Sequence, residues 1–187
     1  MEQDGEAYSV NITSQCRKRT NLTAMQIEHL KRIEISLPFV ADLAHAYLYL
    51  YVQTKEPGKM LVLKHYRPHT FFSEVELTGE GAFVSTLEEP LIAAAFAKGK
   101  FIQGQREWRF GINLEMYVQP IKCGNDVIGV VSLETGHSYA NSSNYHQLMD
   151  TALYLLDYAK KPLDKDEFHP MSPGTGIIIA DSNNRIV

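Results

Sequence analysis

Few residue types in this chain could do chemistry, and they are scattered. Four charges stand beside apolar runs: Arg67, Glu89, Arg106 and Glu115. A charge so placed can reach into a largely apolar pocket and orient a small molecule there, which is how such pockets gain specificity. The opposing reading is that each is solvated or paired with another. Tyr49 lies in Tyr47–Gln53, YLYLYVQ, where Tyr47, Tyr49 and Tyr51 share one face of a strand. Three aromatics on one face more often pack under a helix than hold a ligand, and some can do both. His65 and His69 flank Tyr66-Arg67-Pro68, a spacing that is no compact ligand set, with no carboxylate or thiol close in sequence. Two cysteines, Cys16 and Cys123, make no disulfide framework. Cys123 at a hairpin end reads as a small apolar filler. None of the seven histidines has the helical setting of a phosphoacceptor, and no Gly-rich ATP loop is present.

Those residues must be positioned by a sheet. Glu115–Glu134 holds two apolar runs joined by Cys123-Gly124-Asn125-Asp126. Gly124 and Asn125 tolerate positive φ, so the stretch reads as a β-hairpin. Its second arm is apolar on both faces and belongs in the middle of a sheet. Tyr47–Gln53 and Met60–Tyr66 pair through a turn at Glu56-Pro57-Gly58-Lys59. Phe71–Leu77 is a weaker strand, and Arg106–Phe110 a strand leading into the hairpin. A helix begins near Thr23, which with Gln26 forms a capping box. Ile27, Leu30, Ile33, Leu37 and Val40 follow at helical spacing, with Pro38 kinking or restarting the helix. Glu89–Lys98 is a helix with Pro90 in its first turn and Gly99 closing it. A further helix spans Ser143–Ala159.

The expected domain plan is a loose segment at residues 1–19, one domain over 20–160, a linker at 161–173, and at 174–187 the start of another domain. The last piece ends inside a hairpin, so the chain is expected to be a fragment of a longer one. The fold class is α+β. With 18 basic and 22 acidic residues and a net charge of −4, the chain lacks the basic patch a nucleic-acid partner requires. No apolar run approaches a membrane span and the acidic N-terminus has no signal-peptide core, so a cytoplasmic location and no membrane partner are expected.

Several short motifs in order carry a resemblance. They are Thr20-Asn21-Leu22-Thr23, Leu37-Pro38-Phe39-Val40-Ala41-Asp42-Leu43, Tyr66-Arg67-Pro68, Glu89-Pro90-Leu91, Gln119-Pro120-Ile121 and Ile128-Gly129-Val130. In this series residues 15–160 resemble the GAF-like N-terminal sensor domain of soluble two-component histidine kinases. One branch of these comprises the ethanolamine-utilisation kinases, whose regulators often act in antitermination. Gly176–Val187 is similar to the first hairpin of a PAS domain. Glu88-Glu89-Pro90-Leu91 departs from the Asn-Glu-Pro-Ala usual in relatives, which bears on the identity of any ligand at that loop.

The resemblance implies a GAF-like antiparallel sheet with helices packed on it. It also implies a non-catalytic sensory domain that binds an unknown small-molecule signal and controls a downstream kinase module through a homodimer. A response regulator would be reached through the missing kinase part. Arg67, Glu89, Arg106, Glu115 and Tyr49 are the pocket candidates; no catalytic residue, metal or cofactor is expected. The cyclic-nucleotide signature of some GAF domains and the cysteine cluster of the sulfoxide-reducing ones are both missing. The alternatives are a purely dimerising structural domain and a GAF-fold redox enzyme using Cys123.

Overall fold

A computed structural model of the chain describes residues 11–69, 78–109, 112–136 and 149–156. Six antiparallel strands form one sheet: β1 Tyr47–Gln53, β2 Lys59–Tyr66, β3 Phe83–Ser85, β4 Ile102–Arg109, β5 Ile112–Cys123 and β6 Asp126–Gly136. Their spatial order is β3-β2-β1-β6-β5-β4. The chain thus builds two hairpin units, one from each half, and joins them by pairing β1 with β6, Tyr49 opposite Ser132. β6 is central and nearly all buried, as its two-faced apolar character requires. The β5–β6 turn places Gly124 at φ 64°, a left-handed conformation that favours glycine.

Side-chain alternation splits the core in two. On one face Leu48, Leu50, Leu61, Leu63, Val131 and Leu133 pack against α1 Ile12–Arg19, α2 Ala24–Glu34, α3 Leu37–Ala44 and the helical residues 149–156. On the other, Tyr47, Tyr49, Tyr51, Met60, Val62, Met116, Val118 and Val130 pack under α4 Pro90–Lys98. The two faces of YLYLYVQ therefore go to two different layers.

The helices form where local chemistry favours them. In α2, Thr23 Oγ1 accepts from the Gln26 amide at 3.3 Å, and Gln26 Oε1 accepts from the Thr23 amide at 2.9 Å. Ile27, Leu30 and Ile33 then form its buried stripe. Pro38 restarts the helix as α3, where a missing N–H at the first turn is harmless. α4 ends at Gly99 with φ 58°. Gly129 serves close packing: a Cβ there would lie 3.1 Å from Leu30 Cδ2 and 3.2 Å from the Tyr51 carbonyl oxygen. Its absence lets α2 press directly on β6.

Two expectations need correction. Residues 12–19, expected to be loose, form α1. Asn11 Oδ1 accepts from the Ser14 amide at 3.1 Å, Ile12 and Cys16 are buried one turn apart, and the Thr20 hydroxyl donates to the Cys16 carbonyl at 2.7 Å. β3 occupies Phe83–Ser85, held by pairing with β2; Phe71–Leu77 lies outside the described residues. β4 starts four residues earlier than expected, at Ile102, because Ile102 to Gln105 also pair with β5. Leu91 of α4 lies over Gly104, with Cδ1 2.8 Å from where a Cβ would stand. Of the helix expected over Ser143–Ala159, residues 149–156 are described and are helical. Residues 1–10 and everything beyond 156, including the linker and the final hairpin, lie outside the described residues.

Candidate functional site

The polar centre of the molecule lies on the α4 face. Register places Arg106 of β4 opposite Leu114, Met116 opposite Glu134, and Tyr47 opposite Glu134. These positions share one sheet face. Glu89 arrives from above as the residue that precedes the first turn of α4. The Arg106 guanidinium bridges them: Nη1 donates to Glu89 Oε1 and Nη2 to Glu134 Oε2. Ser132 Oγ donates to the other Glu134 oxygen at 3.0 Å. Glu134 is 1% exposed and Ser132 is fully buried. Arg106 Nε is buried without a hydrogen-bond partner among the described residues.

Two carboxylates share one guanidinium here, so the cluster is one positive charge short of neutral. Burial raises the Glu134 carboxyl from 4.5 to about 7; Arg106 opposes this and Glu89 reinforces it. Burial also raises Glu89 against the opposing pull of Arg106. Burial chiefly, and next the Glu134 charge, pushes the Tyr49 and Tyr51 hydroxyls well above the ordinary phenol range. A backbone hydrogen bond from Thr78 acts on Tyr49 in the opposite direction. The group thus combines two carboxylates, a guanidinium and two neutral hydroxyls beside the apolar Met116, Val118 and Val130. That equipment suits holding and orienting a polar molecule.

Among the five sequence candidates, the structure brings Glu89 and Arg106 into direct contact and places Tyr49 on the same face. His65, opposite Tyr49 in the β1–β2 ladder, lies with its ring centroid 6.2 Å from that of Tyr49. Its Nδ1 is buried without a hydrogen-bond partner among the described residues, and burial lowers its pKa. Arg67 is exposed just past the end of β2 and outside the cluster. Glu115 is on the opposite sheet face, where Gln105 Nε2 donates to it at 2.5 Å. His69 is turned to Asp42, whose carboxylate receives its backbone N–H at 2.7 Å and sits 2.8 Å from its Nδ1. Cys123 is half-buried against the helix-face core.

Sequence reading missed Glu134, Ser132 and the electrostatic part played by Tyr51. The signal was available. Ser132 and Glu134 are polar residues at alternate positions of a strand otherwise built for full burial, and a buried charge demands a partner. A second buried ion cluster was also missed. Lys64, 4% exposed, has Nζ 3.1 Å from Glu80 and 3.5 Å from Glu34. It ties the end of α2 to β2 and to the turn before β3.

An antiparallel sheet with helices on one face and α4 over a buried polar cluster on the other defines a GAF-like α+β domain. The family model for the GAF domain of the histidine kinase PdtaS matches residues 12–152, and the chain belongs to that family. No curated protein matches the chain. Among solved structures it is similar to the sensor region of a sensor histidine kinase, at 21% identity and a TM-score of 0.68, over 94% of this chain and 63% of that one. The chain thus spans less than two thirds of that relative. It is also similar to an IcIR transcriptional regulator from Alicyclobacillus acidocaldarius, at 13% identity and TM-score 0.52, over 80% of this chain and 70% of that one. The second GAF domain of DevS from Mycobacterium smegmatis matches at 12% identity and TM-score 0.50, over 71% and 93%. The histidine-kinase family and the fold give the domain a sensory, regulatory role. Among the described residues no helix is long and apolar enough to cross a membrane.

Proposed function

We propose that this domain receives a small-molecule signal on the α4 face and passes it, through a homodimer, to a kinase module elsewhere in a longer polypeptide. The domain itself does no catalysis in this reading. It works in the cytoplasm, and a response regulator meets the kinase part and not this domain. In this reading the kinase is of the ethanolamine-type branch and a PAS domain follows, the latter resting on the likeness of Gly176–Val187 to a first PAS hairpin.

The observation that carries it is the Arg106 bridge between Glu89 and Glu134. Burying three charged groups is expensive and adds little net stability compared with an apolar core. Placing them where helix and sheet meet makes the α4 position depend on a polar contact that a ligand can replace. A ligand biases a two-state domain only by binding the two states unequally. Contact with Glu89 in one state and not in the other would provide that difference.

Thermal-shift screening with small metabolites, ethanolamine and other small amines first, tests the proposal. The expected result is a ligand that raises Tm in the native chain and in Arg67→Gln, but not in Arg106→Gln. If no metabolite stabilises the domain, only a dimerising role is left, and light scattering then decides whether even that holds. The redox alternative predicts sulfoxide reduction that disappears in Cys123→Ser.

A further inference from the structure

The helix face of the sheet carries a groove that is separate from the Arg106 cluster. It lies between the β4–β5 hairpin and the helical residues 149–156 and has a volume of 390 Å³, within the range of small-molecule sites. Gln103 and Tyr117 are opposite one another in the β4–β5 ladder, and Gln119 is two residues further along β5. Phe101 stands at the start of this hairpin, and Asp150 and Leu153 face it from the helix. Arg106 is on the other side of the same two strands, so the sheet itself separates the two sites.

The lining has a definite chemical bias. Tyr117 and Phe101 supply aromatic rings, Leu153 and Met149 an apolar wall, and Gln103 and Gln119 amide carbonyls. Asp150 is the charged group on the groove, and no Lys, Arg or His lines it among the described residues. Glu115, on the same sheet face, adds a second negative charge nearby. Burial chiefly, then the Glu115 and Asp150 charges, raise the Tyr117 hydroxyl pKa. Aromatic faces, carbonyl oxygens and a carboxylate together favour a cation with an apolar body.

We propose that the groove formed by Phe101, Gln103, Tyr117, Gln119, Asp150 and Leu153 is a second binding site, for small organic cations of the arylalkyl-ammonium type. The ammonium group sits between the Asp150 carboxylate and the Gln carbonyls, and the apolar body lies against Tyr117, Phe101 and Leu153. An occupant touches both the sheet and residues 149–156, so it acts on the position of that helix. The site does not depend on the α4-face reading, since it shares no side chain with it.

The test is an NMR titration of the whole chain with 2-phenylethylammonium, with 2-phenylethanol and 3-phenylpropionate as the neutral and anionic comparisons. Saturable shifts are expected at Gln103, Tyr117, Gln119 and Leu153, the neutral compound binding more weakly and the anion not at all. Asp150→Asn should weaken the ammonium compound about three- to tenfold, the scale of an exposed ion pair with a charge-assisted hydrogen bond. Gln103→Trp should fill the groove and abolish binding. Asp150 and Gln103 are both exposed, so circular dichroism of the two variants is expected to match the native chain. If Gln103→Trp does not fold, Asp150→Asn and the three-compound comparison decide alone. Equal binding of all three compounds, unchanged affinity in Asp150→Asn, shifts centred on Tyr49 and Ser132, or no saturable shifts at millimolar concentrations would each overturn the proposal.

Discussion

Glu134→Gln probes the buried cluster most directly. In the folded protein the Glu134 carboxyl titrates at about 7, against 4.5 for an ordinary glutamate. Between those values the folded state therefore binds more protons than the unfolded chain. Stability must then fall as pH rises through this window, since its slope follows the protons bound by the unfolded state minus those bound by the native state. The contribution is fully present below pH 4.5 and is lost by the time pH passes 7. Moving one carboxyl that far is worth about 3 kcal/mol. The raised pKa of Glu89 acts in the same direction, so a comparison with the variant is needed to isolate Glu134. Gln keeps the shape and can still accept from Ser132, but it does not titrate. The difference in unfolding free energy, Glu134→Gln minus native, should therefore rise by up to about 3 kcal/mol between pH 4 and pH 8. Urea unfolding at a series of pH values measures it, provided m is unchanged. A flat difference would refute the claim that burial outweighs Arg106 at this carboxyl. A difference that falls with pH would show that Arg106 wins.

Three further outcomes follow from the same contacts. Arg106→Met leaves two buried carboxylates uncompensated and should cost about 3–5 kcal/mol at pH 8, and visibly less at pH 5, by the same urea assay. Gly129→Ala drives a methyl into Leu30 and the Tyr51 carbonyl and should cost about 1–3 kcal/mol; a neutral result would show that α2 can lift off β6. Thr23→Ala removes half of the α2 capping box and should cost about 1 kcal/mol, read as a lower denaturation midpoint.

Much of the sheet was legible because burial repeats with the strand period. YLYLYVQ announced two different faces, and VIGVVSLE announced a central strand. α4 was legible from Pro90 and Gly99 at its ends. What escaped depended on contacts distant in sequence. α1 has only Ile12 and Cys16 as its buried pair, so its eight residues read as polar chain; capping by Asn11 and the core under Cys16 make it a helix. β3 is three residues long and exists through its pairing with β2. The first half of β4 includes Gly104, whose missing side chain makes room for Leu91 of α4, a contact distant in sequence.

The candidate site divided along the same line. Glu89 and Arg106 were legible as charges beside apolar elements, and Tyr49 as part of a buried face. Which charges meet was set by the β4–β5–β6 register, and that register put Glu115 on the wrong side of the sheet to join them. Glu134 was hidden because a charge near the end of a strand usually points to solvent, whereas here it lies on the α4 face and is held by Arg106 and Ser132.

The attachment of α4 at its two ends also sets how movement there would be scaled. At the far end Gly99 is a left-handed residue where the backbone turns sharply into β4; at the near end Glu89 is fastened by Arg106. Nine helical residues make a lever about 13 Å long. A tilt of about 10° at Gly99 swings the Glu89 end by roughly 2 Å, enough to part a hydrogen bond, while the fulcrum barely shifts. A small change in what fills the space beneath the helix would thus be magnified at its tip.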